Sequence, residues 1–213
     1  MRIRATDDTS ARRRPPAAAR IAVLLSVVAV LTSLAGCGTA PGDGTALPPP
    51  AGDTGYRVVT ASSLTRTQSL PVPTGPVVLT ISGRLGAGVK GPVRLDLAGL
   101  EQLGLVEYST MDKQAEGRRA TFRGVLLRRL LSAVGAGSAT TLHTLAVNDF
   151  AVDIPVSDAS AYPVLLATRV DGARMPVDHY GPVRVIYPTD GTDLDSTVYD
   201  PRWIWQLTSI VVE

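Results

Sequence analysis

The sequence predicts an α+β domain, mostly β with two or three short helices. Short β-rich runs recur between Gly, Pro and Asp turn signals from residue 76 onward. The clearest helix is residues 124–134, which have amphipathic spacing. No internal repeat occurs at a solenoid period.

Residues 76–83 (PVVLTISG) read as a strand ended by glycine. Residues 96–104 (DLAGLEQLG) read as a short helix with Asp96 as its N-cap. Leu105–Met111 and Ala120–Phe122 read as strands around the polar loop Asp112–Arg119. In Gly124–Val134 (GVLLRRLLSAV) the leucine pairs flank Arg128 and Arg129, giving one buried stripe and one wet face, and Gly135 stops the helix. Further strands are predicted at Thr141–Val147, Ala151–Ile154, Val164–Arg169, Val183–Tyr187 and Ile204–Val212, with Asp171-Gly172 as a tight turn.

The chain has 213 residues, 45% of them hydrophobic, which is one domain plus non-domain sequence. Residues 1–36 hold six of its 21 basic and two of its 19 acidic residues, so the remainder is net acidic by two. The basic pI of about 8.9 belongs to the N-terminal segment and gives no argument for nucleic-acid binding. A single cysteine excludes an intramolecular disulfide, a zinc finger and a cysteine-ligated iron–sulfur cluster, and two histidines leave little for a histidine metal site.

Residues 1–20 are arginine-rich, and the run 21–36 (IAVLLSVVAVLTSLAG) is uncharged and short of the roughly twenty residues a bilayer span needs. That is the layout of a secretory signal over residues 1–36. Leu34-Ala35-Gly36-Cys37 resembles the bacterial lipobox, which implies cleavage before Cys37 and lipid on its sulfur. The expected location is therefore the extracytoplasmic side of the cell membrane, lipid-anchored. Residues 37–75, rich in Gly, Pro, Ser and Thr, read as anchor and tether, with Val58-Val59 as at most a short strand. Residues 76–213 form the predicted domain.

Several blocks of this domain resemble, in order over residues 79–212, the sulfite-oxidase-like molybdopterin-binding domain family. Arg123–Leu131 (RGVLLRRLL) is similar to its "G-V-x-L-x-x-L-L" helix, and Asn148-Asp149-Phe150 with Ile154-Pro155 to its "D-G-Y" turn and following strand. Leu165-Leu166-Ala167 with Asp171-Gly172 resembles its hairpin. Residues 178–188 (DHYGPVRVIYP) resemble "D-H-G-x-P-V-R-V-V-V-P", and 203–210 (WIWQLTSI) its closing strand. The resemblance implies a mostly β fold and, for an intact member, an oxidoreductase carrying molybdopterin with molybdenum on a cysteine thiolate. The stretch that should hold that thiolate, Glu107–Lys113 (EYSTMDK), has no cysteine, and a Ser, Thr or Met neighbour does not replace a soft thiolate. A family lysine stretch is replaced by the acidic run 190–195, and the family's C-terminal dimerisation module is not expected.

By the same resemblance His179 and Arg184 match positions that reach the pterin's polar groups. They can still serve an anion, since a guanidinium fork suits phosphate or carboxylate. The plainer alternative makes His179 a turn cap and Arg184 half of a surface ion pair. Asn148 and Asp149 read either as a pocket edge or as a turn former, the turn being favoured. Trp203 and Trp205, two apart, are expected on one side of a strand, in the core. Asp190, Asp193, Asp195 and Asp200 fit no EF-hand and read as a solvated loop, as do Lys113, Arg118 and Arg119. Phosphate-loop, dinucleotide, zinc-protease and serine-hydrolase motifs are absent.

Three functions compete. The first is a membrane-tethered, non-catalytic module binding a small anion or an envelope protein, with no catalytic residue, metal or cofactor of its own. The second is a molybdopterin oxidoreductase with an atypical metal site. The third is an envelope scaffold or signalling accessory protein.

Overall fold

The computed structural model describes residues 55–64, 69–113 and 117–213; the signal, Cys37 and the first part of the tether lie outside these. Eleven strands are described: β1 Arg57–Thr60, β2 Leu79–Gly83, β3 Val93–Leu95, β4 Leu105–Asp112, β5 Arg118–Leu126, β6 Thr141–Ala146, β7 Ala151–Pro155, β8 Leu165–Val170, β9 Ala173–Arg174, β10 Arg184–Ile186 and β11 Leu207–Val212. The helices are short: α1 Leu97–Glu101, α2 Leu127–Ala133, α3 Val156–Ala161 and α4 Ser196–Tyr199, with 3₁₀ turns at Val177–His179 and Asp200–Arg202. The mostly β, α+β class is as expected.

One sheet has the order β1-β4-β5-β8-β10, with β9 also paired to β8; the other has the order β3-β2-β11-β6-β7. β11 pairs parallel with β2 and antiparallel with β6, so the last strand lies at the centre of its sheet. Inward residues of both sheets, among them Leu79, Ile210, Val106, Phe122 and Leu166, join in one apolar core. Burying such side chains contributes roughly 1.5–3 kcal/mol each.

Asp96 caps α1 as expected: Oδ1 accepts from Gly99 N at 2.7 Å, while Oδ2 accepts from Thr74 N and Gly75 N, both at 2.8 Å. The last two bonds pin part of the stretch read as tether to the domain. β1 lies in that stretch too, pairing with β4. Two boundaries differ from the expectation. Gly124, Val125 and Leu126 are the end of β5 rather than the start of a helix. A Cβ on Gly124 would fall 2.1 Å from Leu166 O, so the close approach of β8 requires glycine and holds this segment extended. α2 starts at Leu127 and stops at Gly135, whose φ of +68° is the left-handed stop predicted. The last strand begins at Leu207, because Gln206 has φ +50° and breaks the extension through the two tryptophans.

A closed Arg–Asp centre and an exposed corner

β4 alternates strictly enough that Tyr108, Thr110 and Asp112 all point inward. Val183 to Tyr187 is buried throughout, so Arg184 enters the core with its strand. A lone guanidinium there is too costly to keep, and Asp112 compensates it. Arg184 Nη1 and Nη2 donate to Asp112 Oδ2 and Oδ1 at 2.9 and 2.7 Å. The two side chains are only 1% and 3% exposed. Aromatic rings surround the pair: the guanidinium carbon lies 5.0 Å from the Tyr180 ring centre and 5.5 Å from those of Phe122 and Trp203. Phe122 and Trp203 meet edge-to-face at 6.3 Å. Arg184 therefore forms an ion pair, but in the core rather than on a sheet surface; its fork is turned onto an internal carboxylate.

The other three candidate residues lie at one corner, on two turns linked through Gln206. Val147 N donates to Gln206 O, and Gln206 N donates to Tyr180 O, both at 3.0 Å. Gln206 Nε2 donates to Val177 O. Gln206 thus joins the β6–β7 turn, holding Asn148 and Asp149, to the 3₁₀ turn holding His179. Asn148 and Asp149 take the turn role: Asn148 Oδ1 accepts from Phe150 N at 3.3 Å, and Asp149 has φ +65°. His179 is almost fully exposed, beside Asp178. Tyr180, Asp149 and Gln206 all have positive φ, a concentration of strain at one corner. Trp203 is buried in the core against Arg184, as expected of a core residue, while Trp205 is half-buried and stacks on Tyr180 at 4.7 Å. Tyr180, Gln206 and Asp112 were not singled out by sequence reasoning. The only sequence trace of Asp112 is an acid at the inward phase of an apolar strand.

A second buried carboxylate, Asp158, accepts from Tyr187 Oη and from Arg202 Nη1, both at 2.8 Å. Burial, and then the Asp158 charge, push the Tyr187 phenol well above its ordinary value, so it stays a donor. Lys113, Arg118 and Arg119 are on the surface as expected, but paired with Asp200, Asp171 and Asp190. Asp195 caps α4, so the acidic run is used in ion pairs and a cap.

The residues present do not fit the molybdopterin that the resemblance implies. Cys37 is the one cysteine of the chain and lies outside the described residues. Among the described residues no group of three or more His, Cys, Asp and Glu can hold a metal ion. The arginine expected to face the pterin is occupied by Asp112. Among the described residues, too, no helix is long and apolar enough to cross a membrane.

Residues 101–191 match the family model of the oxidoreductase molybdopterin binding domain. Among solved structures the chain is similar to the sulfane dehydrogenase SoxCD of Paracoccus pantotrophus, with 15% identity and a TM-score of 0.48 over 63% of this chain and 37% of that one. The chain thus spans little more than a third of that protein's length. No curated protein matches it.

Proposed function

We propose that this chain, which carries a sulfite-oxidase-like molybdopterin-binding domain, acts as a non-redox binding module held by lipid on Cys37 at the extracytoplasmic face of the membrane, where it serves a cell-envelope protein. The observation that supports the non-redox reading is the Asp112–Arg184 pair. The guanidinium that the family directs at its cofactor is buried, bidentate and ringed by aromatic side chains. By the resemblance an intact site uses such a fork and a thiolate; here the fork is engaged by Asp112, and the stretch Glu107–Lys113 has no cysteine. Closure of this centre moves recognition from a small anion inside the fold to the surface. The anchoring half of the reading stands on the Leu34–Cys37 block after an uncharged run. Two acyl chains, at about 0.8 kcal/mol per buried CH₂, suffice to hold a soluble domain.

Two assays test the reading. Protein made in a host that synthesises and inserts molybdopterin is expected to give no sulfite- or sulfoxide-dependent electron transfer. Cys37→Ser is expected to remain unprocessed or leave the membrane fraction. Turnover with either substrate contradicts the first half, and a Cys37→Ser chain that migrates and fractionates like wild type contradicts the second.

A further inference from the structure

We propose that the solvent face of the six-stranded sheet docks on anionic phospholipid headgroups of the membrane to which the chain is tethered; the inference rests on the lipid-anchor reading above. Register places five residues side by side across this sheet. Arg57 pairs with Glu107, Glu107 with Arg123, Arg123 with Arg169, and Arg169 with Arg174. Directly opposed residues of antiparallel strands project to the same face, so these side chains form one row.

Two carboxylates serve the four guanidiniums. Glu107 accepts from Arg57, and from Arg123 Nε at 2.9 Å. Glu101, reaching up from α1, accepts from Arg169 at 2.6 and 3.1 Å and from Arg174 at 3.0 and 3.2 Å. Each acid is shared, so the row keeps two positive charges on a chain that is net acidic beyond residue 36. The bonds from the arginines hold Glu107 below its usual range. For Glu101 burial pushes up, but the bonds from Arg169, Thr168 and Arg174 outweigh it. Neither acid takes up a proton near neutrality to change the balance. Arg57 and Arg174, at the two ends of the row, are 67% and 48% exposed.

Beside the row lies a shallow concavity of about 380 Å³, lined among others by Arg57, Glu107, Ser109 and Thr121. The Ser109 and Thr121 hydroxyls are 2.8 Å apart, and Arg128 donates to the hydroxyl of Tyr56, another lining residue, at 2.6 Å. The Arg57 guanidinium and the hydroxyls of Tyr56, Ser109 and Thr121 suit phosphate oxygens, and the Glu107 carboxylate beside them is offset by Arg57 and Arg123. The occupant follows from the chain itself. Seventeen residues lie between Cys37 and Gly55, a reach of at most roughly 60 Å. The strand they lead into, β1, is the edge strand carrying Arg57. A lipid on Cys37 therefore keeps the row within reach of the bilayer surface, and each arginine facing an anionic leaflet strengthens contact roughly fivefold.

The test uses the full chain purified from membranes and reconstituted into vesicles of phosphatidylcholine, with or without 30% phosphatidylglycerol (about one anionic lipid in three), containing a dansyl headgroup lipid. Flotation reads anchoring. Energy transfer from the two tryptophans, Trp203 and Trp205, to dansyl reads docking. Docking predicts higher transfer on anionic than on neutral vesicles and loss of the excess at about 0.5 M NaCl, where screening is short-ranged. Arg57→Glu/Arg174→Glu should lose the excess, while Arg84→Glu/Arg94→Glu, an equal charge change at two exposed arginines outside this sheet, should keep it. Equal transfer on both vesicle types, or equal loss in both double variants, overturns the proposal. A chain that floats with neither vesicle loses anchor and docking together. One that floats only with anionic vesicles, in a manner abolished by Arg57→Glu/Arg174→Glu, keeps the docking surface and loses the anchor.

Discussion

Arginine meets carboxylate in two places in this domain, under opposite conditions. In the core, Arg184 and Asp112 pair one to one and are shut off from water. Across the outer face of the six-stranded sheet, Arg57, Arg123, Arg169 and Arg174 share Glu107 and Glu101 and stay partly wet. Desolvation makes the first arrangement intolerant of any imbalance, because a charge left alone inside costs several kcal/mol. Solvent screening makes the second tolerant, so a surplus of charge can persist there. The same chemistry is a closed structural element in one region and a solvent-facing row with surplus positive charge in the other.

Breaking the core pair should have the largest effect. Arg184→Met leaves Asp112 buried without its cation and should lower unfolding free energy by about 3–5 kcal/mol in urea titration. Arg184→Met/Asp112→Leu should recover most of that loss, since removing both charges abolishes the imbalance. A single variant as stable as wild type would show that the centre is not closed as described. Asp158 is the intermediate case: Tyr187→Phe removes one of its two donors and leaves Arg202, for a loss of about 1.5–3 kcal/mol. On the outer row, Glu107→Gln should cost at most about 1 kcal/mol while strengthening retention on anionic vesicles, because Arg57 and Arg123 gain net charge.

Stability also depends on pH. Glu101 and Glu107 titrate below their ordinary range in the folded chain. Their stabilisation is thus complete above the unfolded value near 4.5 and is lost as pH falls through the folded values. Melting temperature should drop between pH 5 and pH 3, roughly the window below their unfolded pKa, and less steeply in Glu107→Gln. The smallest effect belongs to His143, whose bonds to Glu213 and then Asp153 raise its pKa above 6.5. Its contribution is present below 6.5 and disappears as pH rises through the folded value. His143→Gln should flatten the gentle decline of melting temperature between pH 6 and pH 8, roughly the range over which a raised histidine titrates.

Local signals served the fold well. Asp96 as a cap, Gly135 as a stop and Asp171-Gly172 as a turn depend on neighbours in sequence, and each is where expected. Gly124 was misread because its helical spacing with Leu127 and Leu131 says nothing about β8 pressing against it. Arg184 stood out in the sequence, but its partner did not: Asp112 is 72 positions away, on a strand not adjacent to β10. Its sole clue was the inward phase of β4. The arginine row was invisible for a similar reason, since its members come from five strands and only register lines them up. Asn148 and Asp149 were legible as a turn, whereas their link to His179 through Gln206 depends on long-range backbone bonds.

Asp112 holds inward the arginine that the resemblance assigns to the pterin, and the described residues include no thiolate for molybdenum. Molybdenum and pterin content, measured by elemental analysis and by the fluorescence of oxidised pterin on protein from a cofactor-competent host, tests this most directly. Neither is expected in stoichiometric amount, in wild type and Arg184→Met alike. About one molybdenum and one pterin per wild-type chain, the one-to-one loading of an occupied site, would contradict it and make the chain an oxidoreductase with an atypical metal site.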